Sequence, residues 1–219
     1  MPARGRLVAL EGIDGCGKST QARALAEVLG ARLTHEPGAT PLGVSLRGLL
    51  LAPDVPSPSP RAEALLMAAD RAEHVALVVE PALAAGEWVV SDRYAGSTIA
   101  YQGYGRGLPV SELARLSEWA TGGLAADLSV LVDVSVEVAA ARLSGAPGRA
   151  DRMERLGAEF AARVRDGFLA QAAEDPVHWV VVDGSRSVEA IARHIVEAVH
   201  ERLGEAPGGT ADAGTVTVG

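Results

Sequence analysis

The sequence predicts an α/β fold, in which five parallel strands form one sheet that carries helices on both faces. Short apolar runs alternate along the chain with longer segments whose apolar residues recur at helical spacing, and the loops between them are short. The apolar runs are nearly continuous rather than alternating, as in strands that are covered on both faces. A glycine-rich turn joins the first apolar run to the first helical segment. Together these observations are typical of an open parallel sheet.

Four apolar runs and the short segment 32–34 are the predicted strands. The third strand along the chain ends on an acidic and a basic residue, Asp92 and Arg93. Ligands bind at the carboxyl ends of the strands in sheets of this kind, so this pair is expected at a binding edge. The predicted strands span residues 7–10, 32–34, 88–93, 127–134 and 179–183.

The segments between the strands are predicted helices, because their apolar residues recur every three or four positions. The longest, 61–85, is expected to be continuous, and a second long helix is predicted over about 151–173. The other helices span 18–29, 42–51, 97–122 with a glycine-rich interruption at 103–107, a segment ending at Arg142, and a last helix capped by Ser187. The predicted buried faces comprise Leu42, Leu46, Leu49 and Leu50 in one helix, and Leu65, Ala69, Ala72, Ala76, Val79 and Leu83 in the longest.

Residues 1–203 are expected to form a single domain. A chain of 219 residues suits one core. The proline-rich stretch 53–60 is a predicted surface loop, since neither side of it could make a core alone. A mobile lid loop is predicted at about 143–151. The tail, 204–219, has no aromatic residue and much glycine, alanine and threonine, so it is predicted to be disordered.

The composition argues against several classes of protein. The chain is 48% hydrophobic but has no long apolar run with few charges, and no apolar segment follows its basic start. We therefore expect neither secretion nor a membrane span. A net charge of −8 argues against a general nucleic-acid surface. The single cysteine, Cys16, suits a reducing cytoplasm.

Residues 12–19 read Gly-Ile-Asp-Gly-Cys-Gly-Lys-Ser. This is the spacing of a phosphate-binding loop, in which glycines let successive backbone N–H groups point into one concavity and the following helix adds positive potential. Lys18 is suited to the outer phosphates of a nucleotide, and the Ser19 hydroxyl is suited to Mg²⁺. Lys18 is also the only lysine among 20 basic residues, placed where a compact charge suits phosphate.

The residues after this loop indicate phosphoryl transfer to an anionic acceptor. A GTPase would need a second lysine in its guanine-reading motif, and the chain has none. An ATPase motor usually has an acidic pair where this chain has Asp92-Arg93, and an arginine there suits a second anion. Arg47, Arg71 and Arg149 add positive charge from separate segments. Such a spread of arginine suits a reaction that depends on positioning and charge stabilisation.

With these features the sequence resembles the bacterial thymidylate kinases, from about Leu7 to Leu203. The order and spacing of the matching pieces are together highly specific. The resemblance implies the P-loop nucleoside monophosphate kinase fold and transfer of the γ-phosphate of ATP to dTMP, giving ADP and dTDP for dTTP biosynthesis. It also implies a homodimer. The matching segments are 11–20, Glu36-Pro37-Gly38, Leu46-Arg47-x-Leu49-Leu50, Ala68-Ala69-Asp70-Arg71, Asp92-Arg93-Tyr94, 97–102 (Ser-Thr-Ile-Ala-Tyr-Gln) and Asp151-Arg152-x-Glu154.

The same resemblance implies the donor site and the catalytic groups. Ser19 and Asp92 would hold Mg²⁺, the second of them in part through water. Position 15 is glycine, which in this family accompanies an arginine supplied by the lid, here Arg149. The implied catalytic residues are Lys18, Arg93, Arg149 and Asp92. The implied ATP-binding residues are Gly12, Ile13, Asp14, Gly15, Cys16, Gly17, Lys18, Ser19 and Thr20.

For the acceptor, the resemblance implies that Arg47 and Arg93 hold the monophosphate of dTMP and that Asp14 accepts from its 3′-hydroxyl. Arg71 and Gln102 would contact the thymine edge, and Tyr101 would crowd the 2′ position against ribonucleotides. The implied dTMP-binding residues are Asp14, Glu36, Arg47, Met67, Arg71, Arg93, Ser97, Thr98, Tyr101 and Gln102. The sequence departs from the family at Met67, where a phenylalanine usually stacks on the base. It departs again at His35, where arginine is common, and we assign His35 no role.

Several residues have simpler interpretations that stay open. Arg71 and Arg47 could be solvated surface charges, and Tyr101 could be an ordinary core residue. The Asp151-Arg152-Glu154 cluster is predicted to be a solvated helix start. Cys16 could be a small residue that fits the loop, or a reactive thiolate favoured by the helix N-terminus and Lys18.

Three other functions also stay open. Another nucleoside monophosphate kinase and a deoxynucleoside kinase would share the same sheet, and the latter would need a general base in place of the phosphate-binding arginines. A P-loop regulator without catalysis is disfavoured by the intact Lys18, Ser19 and Asp92.

Overall fold

The computed structural model describes residues 3–52, 54–145 and 151–206. Five strands form one parallel sheet in the order β2-β3-β1-β4-β5. This confirms the predicted fold class. The strands are β1 (Leu7–Glu11), β2 (Arg32–His35), β3 (Val89–Asp92), β4 (Leu128–Asp133) and β5 (Trp179–Asp183).

Nine α-helices are described, together with two π-helical segments and one 3₁₀ turn. The helices are α1 (Lys18–Leu29), α2 (Pro41–Leu51), α3 (Pro60–His74), α4 (Glu80–Ala84), α5 (Ala95–Thr98), α6 (Val110–Thr121), α7 (Val136–Ser144), α8 (Ala158–Glu174) and α9 (Val188–Leu203). The π-helical segments are Val75–Val79 and Ile99–Gly105, and the 3₁₀ turn is Glu154–Leu156.

The central strand β1 is buried along its whole length. Alternate side chains of a strand point to opposite faces, and here they enter two hydrophobic clusters. Val8 and Leu10 belong to the larger cluster, while Leu7 and Ala9 pack with the helical chain around Val79. Burial on both sides explains the continuous apolar run in the sequence.

The polar residues that end the strands meet at the carboxyl edge of the sheet. Glu11 and Asp92 end the neighbouring strands β1 and β3, where Leu10 is in register with Asp92. His35 and Asp133 end β2 and β4. The edge where the sequence predicts a binding site is therefore lined by titratable side chains.

Two predicted helices differ from the structure. The predicted continuous helix 61–85 changes to π-helix at Val75–Val79. The predicted interruption of 97–122 is confirmed, although the helix already changes to π-helix at Ile99–Gly105 before the break that precedes α6. The predicted helix from 151 begins only at Ala158, after the 3₁₀ turn. Each π turn adds a residue to the helical repeat, so the residues beyond it lie on rotated faces of the helix. Such π turns are frequent at functional sites.

The predicted buried faces of α2 and α3 are partly wrong. Leu42, Leu49 and Leu65 are 48%, 50% and 59% exposed, and Ala69 is exposed as well. The buried face of α3 carries polar residues instead, among them Arg71. Helical periodicity shows that one face is apolar but not which way it points. The face that turns inward here is the one that lines a polar cleft.

Within the described ranges, no helix is both long and apolar enough to cross a membrane. The predicted lid residues 146–150 and the tail after residue 206 lie outside the described residues. The single-domain boundary at residue 203 stays a prediction.

Candidate active site

The phosphate-binding loop connects β1 to α1. Gly12, Gly15 and Gly17 have φ angles of 144°, 83° and 96°, which glycine adopts without strain. A Cβ on Gly12 would lie 2.7 Å from the carbonyl oxygen of Val132, and one on Gly15 would collide with the carbonyl of Ala139. Glycine is therefore required at both places, because the loop packs backbone to backbone against β4 and α7.

Helix α1 begins directly after the loop, and its first N–H groups are left for a ligand. Gly17 supplies no side-chain cap, and the first turn contains no acidic residue. The dipole of α1 therefore adds uncompensated positive potential. The buried Lys18 Nζ lies 3.5 Å from both Ile13 O and Asp14 Oδ1, so its charge is held over the loop.

Arg142, the residue on which the predicted helix before the lid ends, holds the outside of the loop. Its Nη1 donates to Cys16 O at 3.0 Å, and its Nη2 donates to Gly184 O at 2.9 Å. The guanidinium thus ties the loop to the segment between β5 and α9. Sequence reasoning assigned Arg142 no role, because its two partners lie 126 and 42 residues away.

A cleft opens beside the loop. All ten residues of the predicted acceptor site line it, so the structure brings together side chains from six separate segments. They are Asp14, Glu36, Arg47, Met67, Arg71, Arg93, Ser97, Thr98, Tyr101 and Gln102.

Asp14, Arg93 and Tyr101 form one hydrogen-bonded group where the loop meets the cleft. Arg93 Nη2 donates to Asp14 Oδ1 and, at 3.0 Å, to the Tyr101 hydroxyl, which itself donates to Asp14 Oδ2 at 2.9 Å. Burial by itself raises the pKa of Asp14, but the charges of Arg93 and Lys18 outweigh it and hold that pKa well below its usual range. Asp14 is therefore a carboxylate that links both parts of the site. Tyr101 packs in the core as well, but its hydroxyl faces the cleft.

The backbone of Arg93 has a φ of 76°, the one positive value at a non-glycine residue in the described chain. Glu11 holds the turn after it, accepting from Tyr94 N at 3.0 Å, Ser97 N at 3.1 Å and Ser97 Oγ at 2.6 Å. Complete burial raises the pKa of Glu11 to about 7, although these bonds and Arg93 oppose the shift. A left-handed arginine costs about 1–3 kcal/mol, so the surrounding contacts must fix it.

Arg71 is buried, and the interpretation of it as a solvated charge is wrong. It is 2% exposed and donates to Glu36 Oε2 at 2.9 Å, Thr98 Oγ1 at 2.8 Å and Tyr94 O at 3.0 Å. His74 Nδ1 donates to the other oxygen of Glu36 at 2.9 Å. Three of the five guanidinium N–H groups are used, which leaves two for a ligand in the cleft.

Arg47 lies at the rim of the cleft. Its Nη1 donates to Pro37 O at 2.8 Å, and its side chain covers Gly38, where a Cβ would meet it at 2.9 Å. The residue as a whole is exposed. A positive charge that is tethered at one nitrogen and open to solvent suits an anion that must enter and leave.

Comparison with known proteins identifies the family to which a chain with this site belongs. The family model described as Thymidylate kinase matches residues 10–195. The chain belongs to the thymidylate kinase family. Members of this family are kinases, so the chain is a phosphotransferase with the P-loop nucleoside monophosphate kinase fold, as the sequence predicted.

Individual thymidylate kinases are similar to this chain along nearly their whole length. The chain is 50% identical over 211 residues to the thymidylate kinase of Synechococcus sp. (strain RCC307), covering 91% of this chain and 98% of that one. It is 47% identical over 200 residues to that of Cupriavidus metallidurans, covering 90% and 98%. The crystal structure of thymidylate kinase from Ehrlichia chaffeensis superposes with a TM-score of 0.74 at 29% identity, covering 90% of this chain and 99% of that one.

One prediction from the thymidylate kinase motifs is wrong. Arg152 is not part of a solvated helix start but is buried, with its Nε donating to Leu50 O at 2.6 Å and its Nη2 to Glu63 Oε2 at 2.8 Å. Asp151 and Glu154 do form a local turn, in which the Asp151 N–H donates to Glu154 Oε2 at 3.0 Å. The partners of Arg152 are 102 and 89 residues away, which no local pattern could reveal.

The residues predicted to hold Mg²⁺ fit such an ion. Ser19 is exposed in the first turn of α1, and Asp92 ends β3 beside β1. Asp92 Oδ1 is buried without a hydrogen-bond partner among the residues that the structure describes. Those residues contain no group of three or more His, Cys, Asp or Glu side chains that could bind a metal alone. Two protein ligands suit Mg²⁺, which usually takes its other ligands from water and substrate phosphate.

Cys16 is fully buried, and burial raises the pKa of its thiol above its ordinary value despite the nearby Lys18. The hypothesis of a reactive thiolate is therefore wrong for this geometry, and Cys16 fills space under Gly12. Met67 is half-buried at the cleft wall. Arg149 lies outside the described residues.

Proposed function

We propose that this protein catalyses transfer of the γ-phosphoryl group of ATP to dTMP, giving ADP and dTDP for dTTP biosynthesis. The observation that carries the proposal is the bond between Asp14 and Arg93. It joins the phosphate-binding loop to a cleft that holds arginines for an anionic acceptor. A donor site and an acceptor site that share one hydrogen-bonded group suit in-line transfer between two bound nucleotides.

On the donor side, the loop amides and the N-terminus of α1 hold the ATP phosphates, and Lys18 neutralises their outer charge. Lys18 Nζ lies 3.5 Å from Asp14 Oδ1, so a phosphate that binds there replaces one negative partner of Lys18 by another. The buried position of Lys18 strengthens its attraction for phosphate. Arg142 keeps the loop in the conformation that presents its amides.

On the acceptor side, Arg93 and Arg47 hold the monophosphate of dTMP. The ionised Asp14 accepts from the 3′-hydroxyl, which deoxyribose retains. The ring of Tyr101 covers the sugar and leaves little room for a 2′-hydroxyl. Arg71 uses its two remaining N–H groups toward the base, and Met67 packs on the base plane.

The reaction uses Mg²⁺, which supplies positive charge to the phosphate oxygens of bound ATP. Ser19 and Asp92 would hold the ion. Arg149 of the predicted lid adds a further positive charge to the transferring group. This protein works in the cytoplasm, where ATP and dTMP are available.

The protein forms a homodimer through the outward face of α3. Leu65, Ala69 and Ala72 make a stripe at helical spacing, and Leu65 is 59% exposed. The stripe continues to the exposed Ala76 in the π-helical segment that follows α3. Beside it lies an apolar groove between α3 and α6 that includes Leu113. An apolar stripe next to a groove on the same face suits a two-fold contact with a second copy. Light scattering should give twice the chain mass for the wild type and the chain mass for Leu65→Glu, with Val177→Glu as an exposed control elsewhere.

A coupled assay of ADP release tests the activity. The purified protein is given ATP, Mg²⁺ and one acceptor from a panel of deoxynucleoside and ribonucleoside monophosphates and free nucleosides. We expect dTMP to be the best acceptor and thymidine to be inert, because the arginines of the cleft require a phosphate. Turnover of thymidine without dTMP would indicate a deoxynucleoside kinase. Turnover of other monophosphates while dTMP stays unreacted would overturn the proposal.

A further inference from the structure

We propose that Glu63 is a specificity-determining positioning residue: its carboxylate fixes the amide of Gln102 so that the cleft presents an acceptor, and not a donor, to the base. This rests on the proposed function, in which that base is thymine. Glu63 lies at the start of α3 and has no exposed surface. It does not line the cleft, so it acts on the base only through its neighbour.

Four donors surround the carboxylate of Glu63. Its Oε1 accepts from Gln102 Nε2 at 3.0 Å and from Arg106 Nε at 3.1 Å. Its Oε2 accepts from Arg106 Nη2 at 2.9 Å and from Arg152 Nη2 at 2.8 Å. These four donors occupy every lone-pair direction of the carboxylate. Each of them is therefore held in a fixed position.

The charge of Glu63 determines which end of the amide faces it. Burial raises the pKa of Glu63, but the bonds from Arg106, Gln102 and Arg152 outweigh burial and lower it, so the group is a carboxylate. A carboxylate can only accept hydrogen bonds, so the NH₂ end of the Gln102 amide must point to it. The opposite orientation would place two oxygens against each other in a buried position, where an unsatisfied contact is costly.

The other end of the amide, Gln102 Oε1, then faces the cleft. Gln102 lines the cleft, and the described residues offer no hydrogen-bond donor to its Oε1. Arg71, with two unused N–H groups, lines the same cleft. The wall therefore offers one acceptor and one donor to a base, in a fixed pattern.

That pattern matches thymine and not cytosine. Thymine presents a donor at N3–H and an acceptor at O4, whereas cytosine presents an acceptor at N3 and a donor at N4. Gln102 Oε1 and the Arg71 N–H groups complement both atoms of thymine and oppose both atoms of cytosine. Uracil has the same edge as thymine, so this device distinguishes dTMP from dCMP and leaves dTMP and dUMP alike.

Glu63→Gln tests the inference, with kcat/KM measured for dTMP, dUMP and dCMP. The oxygen of the new amide takes the place of Oε2, because it can accept there from both Arg106 Nη2 and Arg152 Nη2. Its NH₂ then takes the place of Oε1 and faces Gln102 as well as the Arg106 Nε–H. The Gln102 amide can reverse and accept from that NH₂. We expect the dTMP-to-dCMP ratio to fall by about tenfold or more, on the scale of one lost complementary contact, while the dTMP-to-dUMP ratio stays within about twofold. Glu73→Gln on the same helix is the matched control and should change neither ratio.

A cycle of variants separates positioning from a structural role. Gln102→Leu should lower the dTMP-to-dCMP ratio by itself, and adding Glu63→Gln should lower it no further, because both act through one amide. If Glu63→Gln is unstable by its Tm, the pair Glu63→Gln with Arg106→Met, which removes one charge of each sign, gives the same test. Equal losses of kcat/KM for all three nucleotides would overturn the inference. The wild-type rate with dTMP tests the proposed function independently of this ratio.

Discussion

The hydroxyl of Tyr101 lies 2.9 Å from Asp14 Oδ2 and joins a π-helical segment to the phosphate-binding loop. Arg93 contacts both groups, at 3.0 Å from the hydroxyl. The three side chains come from separate elements, yet each is held by the other two. These three side chains therefore couple the loop to the acceptor cleft.

Tyr101→Phe removes this hydroxyl and keeps the ring. Asp14 and Arg93 then lose one partner each, at a cost on the order of 1 kcal/mol, so we expect kcat/KM for dTMP to fall by up to about tenfold. The preference for deoxyribonucleotides over ribonucleotides should remain, because the ring still covers the sugar. Steady-state rates with dTMP and with its ribonucleotide counterpart measure both the fall in kcat/KM and the preference for the deoxyribonucleotide. An unchanged rate would mean that the hydroxyl does not position Asp14 or Arg93.

Lys18→Ala should leave the fold intact and lower turnover by about 10²-fold or more, because a preorganised charge on the transferring phosphate is lost. Far-UV circular dichroism and Tm report the fold, and ADP release reports turnover. Arg23→Ala, an exposed change in the same helix, is the control and should keep full activity. Near-wild-type turnover in Lys18→Ala would refute the assignment of the loop.

Met67→Phe should tighten dTMP binding. An aromatic face adds roughly 0.5–1.5 kcal/mol beyond the area it buries, which corresponds to a Kd about two- to twelvefold lower. Met67→Leu keeps the apolar volume without a ring and should leave the Kd unchanged. Titration calorimetry with dTMP compares the three proteins. Weaker binding by Met67→Phe would show that the base does not lie against this position.

Glu11 should make the stability of the fold depend on pH. Its pKa is raised from 4.5 to about 7 by burial, so between these values the native state binds more protons than the unfolded chain. The free energy of unfolding therefore decreases as pH rises from about 4.5 to 7, by about 3 kcal/mol from this group. Glu11→Gln removes that dependence. In urea unfolding, the free energy of unfolding of the variant should therefore increase relative to that of the wild type as pH rises. If the free energies of unfolding of the two proteins changed in parallel from pH 5 to 8, the raised pKa of Glu11 would be contradicted.

The parts of the fold that the sequence predicts well are those with local causes. The apolar run 7–10 and the glycine pattern at 12–17 require only neighbours in the chain, and the structure places both as expected. The positions of Asp92 and Arg93 at the carboxyl edge follow from the end of a single strand.

The errors have long-range causes. The face of α3 that carries Arg71 is turned inward because Glu36 and Thr98, from other elements, satisfy its charge. No local pattern separates that face from a solvated one, so helical spacing alone predicts that the apolar stripe at Leu65 is buried. The burial of Arg152 depends in the same way on Glu63, 89 residues earlier in the chain.

The central claim is that the phosphate-binding loop and the acceptor cleft form one site for transfer from ATP to dTMP. Quenched-flow analysis of a single turnover with γ-labelled ATP, dTMP and Mg²⁺ tests it most directly. We predict that the label appears in dTDP at the rate at which ADP forms, and that Lys18→Ala abolishes this transfer. Label that appears as inorganic phosphate, or that stays in ATP while dTMP is bound, would contradict the account.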